Sequence, residues 1–400
     1  MKKYKKILAA ALAVCSVTTV AKAASYQLND YSVTNLGRSY AGVGVVGDDY
    51  SAIAYNPAGM TLKKKSGLQQ VVNVIGVKSK VEEVGTGDKG SMKFWQPMPA
   101  GFGQYNVNDK LAIGGGIYAP FGLKTKYKAD WFGNSSAILS KLAIVDFNLS
   151  AAYKLDEHWS IGASAILRYI YGRMTQNLGA DVNFNVHGYS QTGTLGLMYE
   201  FNKDSRLGVA YHLRSAQKAN GLMKIYGAPA TSVHANPDLP EYVVISGYHR
   251  IDDFGLSASA RWTHWTSSFP AFTIRSASLP GGEIKSDYRY QNTWGVAFGT
   301  DYYYDENITL RGGIGYDESP THKPDRRTYR IPDGDRYWIS AGASYVWRNW
   351  QFDGAYAFLR ARTALASKDA GATGPAGSVP SAKFKGTHSS IFGLQAQYSF

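Results

Sequence analysis

Two histidines, His212 and His264, lie on predicted strands and are available for acid–base chemistry. A hydrolase would place such a histidine beside a serine nucleophile or an activating aspartate. Serine and aspartate are abundant, but no recognisable motif joins either histidine to them. The sequence therefore predicts no catalytic residues, and no metal or cofactor site.

A second group of side chains suits binding rather than catalysis. Between residues 121 and 132, the rings of Tyr127, Trp131 and Phe132 alternate with three lysines, at positions 124, 126 and 128. Aromatic rings can hold an apolar chain, and ammonium groups attract its anionic end. The same lysines could instead bind phosphate groups, and the pattern leaves both possibilities open.

Strands must position these side chains, because the clearest apolar periodicity in the chain is two. In residues 386–400, apolar side chains occupy every second position from Phe392 to Phe400. Residues 145–153 alternate in the same way. This pattern, with an aromatic residue at the C-terminus, is typical of outer-membrane barrels. A soluble β-sandwich would also alternate, but it needs no secretion signal and no long loops on one side.

Thirteen connections divide the chain into fourteen strands. Six are short polar turns, at 106–109, 155–157, 202–204, 251–253, 304–307 and 348–349. Seven are longer stretches rich in Gly, Pro, Ser, Lys and Asp, near 80–90, 121–140, 176–189, 219–239, 267–287, 318–333 and 361–385. An even strand count with short periplasmic turns closes a bacterial barrel. The sequence thus predicts an all-β fold, a 14-stranded antiparallel transmembrane β-barrel over residues 66–400.

Residues 1–23 have the pattern of a secretory signal, with four early lysines, an apolar stretch and the small-residue site Ala21-Lys22-Ala23. Its apolar stretch of about 14 residues is too short for a spanning helix. Lipidation at Cys15 is an alternative, which the bulky Val14 disfavours. Cleavage after Ala23 removes the one cysteine and lowers the formal charge from +13 to +8. The remaining charge is dispersed, which favours anionic lipid or acidic ligands over nucleic acid.

Residues 24–65 lack strand alternation and are rich in small side chains. A compact segment between a signal and a closed barrel is expected inside the lumen, as a plug or hatch. A periplasmic tail is the alternative.

The mature chain also carries six short motifs, at 26–29, 36–42 (LGRSYAG), 56–58 (NPA), 239–241, 300–305 and 331–336 (IPDGDR). Together they resemble the FadL/TodX family of outer-membrane transporters of hydrophobic compounds. The resemblance implies a Gram-negative outer-membrane barrel with a hatch, a capture groove among outer loops, an interior pocket and lateral release into the bilayer. The expected cargo is a long-chain fatty acid, with aromatic hydrocarbons as the alternative.

The resemblance implies a lateral gate in the third strand. The residues expected to form it are Gly114, Gly115 and Gly116, beside the hatch residues Asn56, Pro57 and Ala58. A strand without side chains can bulge or kink there. Glycines that only make room for a neighbouring aromatic ring are the alternative.

The resemblance also suggests which residues meet the ligand. Lys285 lies near the family's pocket lysine, whereas the pocket arginine aligns near Gln176 and is not retained; Arg173 lies nearby. Tyr127, Trp131 and Phe132 are expected at the outer capture surface. The expected partners are a hydrophobic ligand, outer-membrane lipid and lipopolysaccharide, around a monomer. A general porin with an open polar channel and an outer-membrane lipase are the remaining rivals.

Overall fold

The computed structural model describes residues 25–268, 271–276, 282–370 and 379–400, and for residues 271–272 and 284–287 it describes the backbone alone. The predicted signal, residues 1–23, lies outside the described residues.

One antiparallel sheet holds all the strand segments of the described residues. The nineteen segments are β1 (Gly67–Glu83), β2 (Lys89–Asn106), β3 (Leu111–Lys126), β4 (Leu139–Lys154), β5 (Trp159–Asn177), β6 (Asp181–Asn202), β7 (Ser205–His212), β8 (Lys218–Ile225), β9 (Thr231–Ala235), β10 (Tyr242–Ile251), β11 (Phe254–Thr263), β12 (Ala271–Arg275), β13 (Glu283–Asp287), β14 (Thr293–Tyr303), β15 (Ile308–Asp317), β16 (Arg336–Trp347), β17 (Trp350–Ala361), β18 (Ala364–Ala366) and β19 (Ala382–Ser399).

Ten of the segments form five pairs, and the two segments of each pair are parts of one barrel strand. Both segments of a pair hydrogen-bond to the same neighbouring barrel strand, one after the other along its length. These pairs are β7 with β8, β9 with β10, β11 with β12, β13 with β14, and β17 with β18. The described residues therefore form fourteen barrel strands. β1 closes the barrel by pairing with β19 from Gly67↔Ser399 to Glu83↔Ala382. The predicted fold class is confirmed.

The C-terminal strand shows why the alternation predicted a membrane barrel. Leu394 is 73% exposed on the outside of β19, whereas Gln395 is 4% exposed on the inside. The amide of Gln395 donates to the carboxylate of Asp353 at 2.9 Å. Apolar side chains therefore face lipid, while polar ones bond to each other within the wall.

The short turns lie at the expected end, but the structure corrects the other end of the barrel. Residues 176–189 were predicted to be a loop, yet β5 and β6 stay paired up to Asn177↔Asp181. The stretches 80–90 and 219–239 are also largely strand. A ladder between adjacent strands offsets their weak intrinsic strand preference. β5 and β6 have 19 and 22 residues, more than the roughly 9–11 needed to span a membrane, so their hairpin projects outward.

The N-terminal segment, residues 25–62, is almost entirely buried and contains three short helices. They are α1 (Val33–Gly37), α2 (Ala52–Tyr55) and the 3-10 helix η1 (Pro57–Leu62). The Ser32 hydroxyl caps α1 by accepting from the Asn35 amide. Two further 3-10 turns are η2 (Trp265–Ser267) and η3 (Pro324–Arg326). Among the described residues, no helix is both long and apolar enough to cross a membrane.

Strands on well-separated parts of the wall contact the N-terminal segment. Gln395 of β19 accepts from the Val33 amide at 2.9 Å, and Asn148 of β4 donates to the Ile53 carbonyl at 3.1 Å. Glycines allow this close approach: a β-carbon on Gly299 would lie 2.8 Å from the Arg38 carbonyl oxygen. The segment therefore lies against inward-facing residues of the barrel wall.

A buried ion network fixes this contact at one side. The Arg38 guanidinium donates to Asp48 at 2.8 Å and to Asp301 of β14 at 2.9 Å. Arg311 of β15 lies 3.0 Å from Asp301 and 3.1 Å from Asp48. Burial disfavours the charged guanidinium, but the two carboxylates outweigh it and raise the pKa of Arg38 well above its usual value.

Candidate functional site

The wall of the barrel is interrupted between β2 and β3. Their ladder runs only from Asn106↔Ala112 to Gly101↔Ile117. Beyond that point, residues 89–100 of β2 stay paired with β1 but have no ladder partner on their other side among the described residues. Pro97 and Pro99 lie in this edge, where missing N–H groups are tolerated. The interruption faces lipid at one side and the lumen at the other.

Where β3 separates from β2, the N-terminal segment pairs with the free edge of β3. The Leu28 amide donates to the Pro120 carbonyl at 2.8 Å, and the Gly122 amide donates to the Tyr26 carbonyl at 2.7 Å. A bulge between Tyr118 and Phe121 bends β3 at this point. The interior segment thus replaces β2 as the hydrogen-bonding partner of β3.

One lysine side chain reaches across the interruption. The Lys124 ammonium lies over the Phe94 ring, 4.9 Å from its centroid, and 3.4 Å from the Gln96 side-chain oxygen. Met98 of β2 and Ala119 of β3 add apolar surface nearby. The interruption is therefore lined mainly by apolar groups and bridged by one polar contact.

Inside the barrel, an apolar patch covers the inward faces of β3 to β6. Its members are Leu123, Leu142, Ile144, Ile170, Met174, Phe184 and Val186. Its lower boundary is the ion pair in which Arg168 donates twice to Asp146, each bond 2.7 Å long. From Asp146 up to Ser140 the patch extends about 20 Å along β4.

A buried cation lies at the upper boundary of this patch. The Arg330 guanidinium donates to the Ser140 hydroxyl at 3.1 Å and to the Gln176 side-chain oxygen. Its side chain is 7% exposed. No carboxylate of a described residue pairs with it; the titratable side chains near it among the described residues are Tyr288 and Tyr127, which are neutral at neutral pH.

Arg330 differs from the other buried arginines of its loop, because its two described partners are neutral side-chain groups. Arg336 pairs with the Asp333 carboxylate, and Arg327 donates to three backbone carbonyls. Burial lowers the pKa of the Arg330 guanidinium to about 10, because desolvation disfavours its charged form. It is still a cation at neutral pH, and a buried cation without a counter-ion is costly unless a ligand supplies one.

Aromatic rings fill the lumen beside these groups. Tyr26 lies 5.9 Å from Phe121 and 5.2 Å from Trp265, centroid to centroid, and Trp265 lies 5.5 Å from Tyr290. Tyr288 continues the cluster at 5.5 Å from Tyr290. The upper lumen therefore offers a continuous apolar surface.

A titratable carboxyl of the N-terminal segment lies deeper in the lumen. Asp30 is 3% exposed, and the Tyr40 hydroxyl donates to it. Burial raises the pKa of Asp30 to about 6; the bond from Tyr40 opposes this shift, and the carboxylate of Asp317 adds to it.

The sequence matches the profile of a family described as outer membrane protein transport protein (OMPP1/FadL/TodX) over residues 14–400. The chain belongs to this family. It is 29% identical over 473 residues to outer membrane protein P1 of Haemophilus influenzae, with 100% of each chain covered. It is 28% identical over 399 residues to the long-chain fatty acid transport protein of Escherichia coli K12, covering 84% of this chain and 88% of that protein.

A solved structure agrees with the sequence comparison. A FadL homologue from Pseudomonas aeruginosa superposes with a TM-score of 0.83 at 25% identity, covering 94% of this chain and 100% of that one. The protein is therefore an outer-membrane transporter of hydrophobic compounds from a Gram-negative cell, and it is not an enzyme. The predicted family, localisation and absence of catalysis are confirmed.

The glycines predicted for the FadL-type gate lie in the paired part of β3. Gly114, Gly115 and Gly116 have ladder partners on both β2 and β4. A β-carbon on Gly116 would lie 2.5 Å from the Phe102 ring, so this glycine makes room for an aromatic side chain. The bulge expected at the glycines lies instead beyond Tyr118, where proline interrupts the ladder.

The NPA residues also lie apart from that part of the wall. Asn56 donates to the Leu197 carbonyl of β6 at 3.2 Å. A β-carbon on Gly162 of β5 would collide with Pro57 and Ala58. Asn56, Pro57 and Ala58 therefore sit against β5 and β6, whereas the residues that face Gly114 are Ile53 and Met60.

The strand register places the side chain of Arg173, a predicted ligand-binding cation, on the outer face of the barrel. Arg173 is exposed, and it lies three residues from the buried Gln176, hence on the opposite, outer face of β5. Lys285 pairs through its backbone with Thr273 of β12, and its side chain lies outside the described residues. Arg330, which sequence reasoning missed, directly precedes the quoted IPDGDR stretch; that position was the available signal.

The rings predicted to capture ligand are mostly packed together. Tyr127 and Trp131 stack at 3.9 Å, and both are buried, at 4% and 6% exposure. The Tyr127 hydroxyl donates to the Tyr329 carbonyl at 2.8 Å. Phe132 packs at the edge of the same cluster and is partly exposed. Two of the three rings therefore hold the 127–138 connection against the 318–335 connection.

The two histidines have structural contacts. The His212 ring stacks on Tyr242 at 4.1 Å. His264 contacts the Glu241 carboxylate at 2.6 Å, and the Ser267 hydroxyl donates to that same carboxylate rather than to the imidazole. Neither contact reproduces a serine activated by histidine.

Proposed function

We propose that the protein imports long-chain fatty acids and binds their carboxylate at Arg330. The observation that carries this proposal is the buried guanidinium of Arg330, which has no carboxylate partner among the described residues. A ligand carboxylate would supply the missing counter-charge through charge-assisted hydrogen bonds. Aromatic hydrocarbons need no cation, so an unpaired buried arginine favours the acid over the hydrocarbon.

The acyl chain would lie along the apolar patch of β3 to β6. Each methylene removed from water contributes about 0.8 kcal/mol, so a long chain gains more from this surface than a single ring would. The Arg330 guanidinium donates to Gln176, near which the family's pocket arginine aligns, so we propose that Arg330 takes the role of that arginine. Lys285 stays a proposed second cation at the polar end.

The proposed route begins at the outer connections and ends at the interruption between β2 and β3. Phe132 and Lys128 of the 127–138 connection would meet the ligand first, while Tyr127 and Trp131 hold that connection in place. The N-terminal segment would act as the plug that blocks passage to the periplasm. Lateral release would carry the chain past Phe94, Met98 and Ala119, so that it leaves one apolar surface for another.

We also propose that the protein works as a monomer surrounded by outer-membrane lipid and lipopolysaccharide. The closed ladder between β1 and β19 leaves no strand edge there for a second copy.

The test compares Arg330→Gln with wild type for binding and uptake of oleate and of toluene. Loss of a charged hydrogen bond should weaken oleate binding by about 1.5–3 kcal/mol and leave toluene unaffected. Arg173→Gln is the matched control, because its side chain faces outward. Lys285→Ala, measured in parallel, tests the second cation. Equal losses of both ligands in Arg330→Gln would show a structural role and refute the proposal.

A further inference from the structure

We propose that the outer wall of the barrel carries a binding site for the phosphate groups of lipid A, the phosphorylated lipid anchor of lipopolysaccharide. Four basic side chains form one row across neighbouring strands: Lys93 of β2, Lys78 of β1, His388 of β19 and Arg360 of β17. All four alternate with buried residues and therefore face outward. The row spans three strand spacings, about 14 Å.

The height of the row matches the outer headgroups. Lys78 lies eleven residues above Gly67, the first residue of β1. At about 3.4 Å per residue and a tilt near 40°, this is about 28 Å along the barrel axis, just beyond an apolar band of about 25 Å. These basic side chains therefore lie at the level of lipid phosphates, above the acyl chains.

Aromatic side chains mark the same boundary independently. Trp95 lies two residues below Lys93 on β2 and is 53% exposed. Its ring is 6.1 Å from that of Phe392, which in turn is 4.9 Å from Tyr356. Exposed aromatic girdles of this kind lie at the interface between the hydrocarbon and the headgroups.

A groove of about 1030 Å³ gathers the positive charge. The cationic side chains that line it are Lys78, Lys80, Lys89, Lys128, Arg360 and Lys385, against two carboxylates, Glu82 and Asp130. Glu82 is already bonded to Lys385 at 3.0 Å. The excess of cations suits a ligand with several negative charges, as two phosphates provide, better than a single carboxylate.

A bulge on β19 helps to build this groove. Lys80 lies opposite Lys385 and Lys78 opposite His388, so two steps along β1 face three steps along β19. Gly386 accommodates the bulge with a φ of +59°. As a result, Lys385 and His388 both face outward.

This site lies outside the barrel and does not depend on the proposed cargo. The test is native mass spectrometry of the detergent-purified protein titrated with bisphosphorylated lipid A, monophosphorylated lipid A or oleate. The variant combines Lys78→Gln, Lys93→Gln and Arg360→Gln. The control combines Lys64→Gln, Lys110→Gln and Lys203→Gln, exposed lysines at the opposite end. Heat-modifiable electrophoretic mobility verifies that both barrels are folded.

The variant should bind bisphosphorylated lipid A about a hundredfold more weakly, because each basic residue near an anionic headgroup contributes about a fivefold factor. The control should bind like wild type, and one phosphate fewer should also weaken binding. Unchanged lipid A binding in the variant would overturn the proposal. So would an equal loss of oleate, or displacement of lipid A by millimolar inorganic phosphate, which would identify a general anion site.

Discussion

Arg38→Met should release the N-terminal segment from the barrel wall. The substitution removes the guanidinium that bonds to Asp48 and Asp301 but keeps a long side chain at the same place. Breaking a buried ion pair costs about 3–5 kcal/mol. We expect about 3 kcal/mol here, because Arg311 remains 3.0 Å from Asp301 and 3.1 Å from Asp48.

A shift of 3 kcal/mol corresponds to an increase of about a hundredfold in the ratio of displaced to seated segment. If this segment is the plug, displacement opens an ion-conducting lumen. The assay is therefore the open probability of single channels in a planar bilayer.

The control for this experiment is Arg214→Met. Arg214 forms an ion pair of 2.8 Å with Asp238, but its side chain is 46% exposed. Such surface pairs contribute about 0–1 kcal/mol, so the open probability should stay at the wild-type value. The reasoning is refuted if Arg38→Met assembles normally and its channels open no more often than those of wild type, or if the control opens equally often.

Two further predictions concern the exit and the pH response. A short bismaleimide that joins cysteines introduced by Gln96→Cys and Lys124→Cys should stop uptake while leaving ligand binding intact. The same cross-link between Lys154→Cys and Glu200→Cys, on strands outside the interruption, should leave uptake unchanged. Normal uptake after the first cross-link would exclude the proposed exit. The pKa of Asp30 is raised to about 6, so the protonated carboxyl favours the state in which the N-terminal segment is seated in the lumen. The free energy that Asp30 contributes to this seated state is complete below about pH 4 and is lost as pH rises through 6. Channel open probability should rise over that window by an amount equivalent to about 3 kcal/mol, and Asp30→Asn should make it flat; a variant with the wild-type pH profile would contradict this assignment.

The interruption between β2 and β3 and the buried Arg330 guanidinium lie on the same side of the lumen. The interruption begins beyond Ile117 of β3, and Ser140, which anchors Arg330, belongs to the adjacent β4. A ligand held at Arg330 along the apolar patch would therefore be close to the wall through which we propose it leaves. The N-terminal segment contacts β3 at Pro120 and Gly122, so movement of this segment and opening of the exit would be coupled.

The sequence by itself determined the class of the fold. Alternation such as that of residues 392–400 is a local property of a strand with lipid on one face, so it can be recognised without knowing the neighbouring strands. The turn count then gave fourteen strands.

Only the tertiary structure decided the site. Arg330 and Gln176 are 154 positions apart, and their contact depends on how the 318–335 connection folds into the lumen. The interruption between β2 and β3 arises because the N-terminal segment pairs with Pro120 and Gly122 in place of β2. A single strand's sequence cannot specify which of two partners its edge will bond. Such choices depend on long-range packing, which is why the bulge lies beyond the glycines that suggested it.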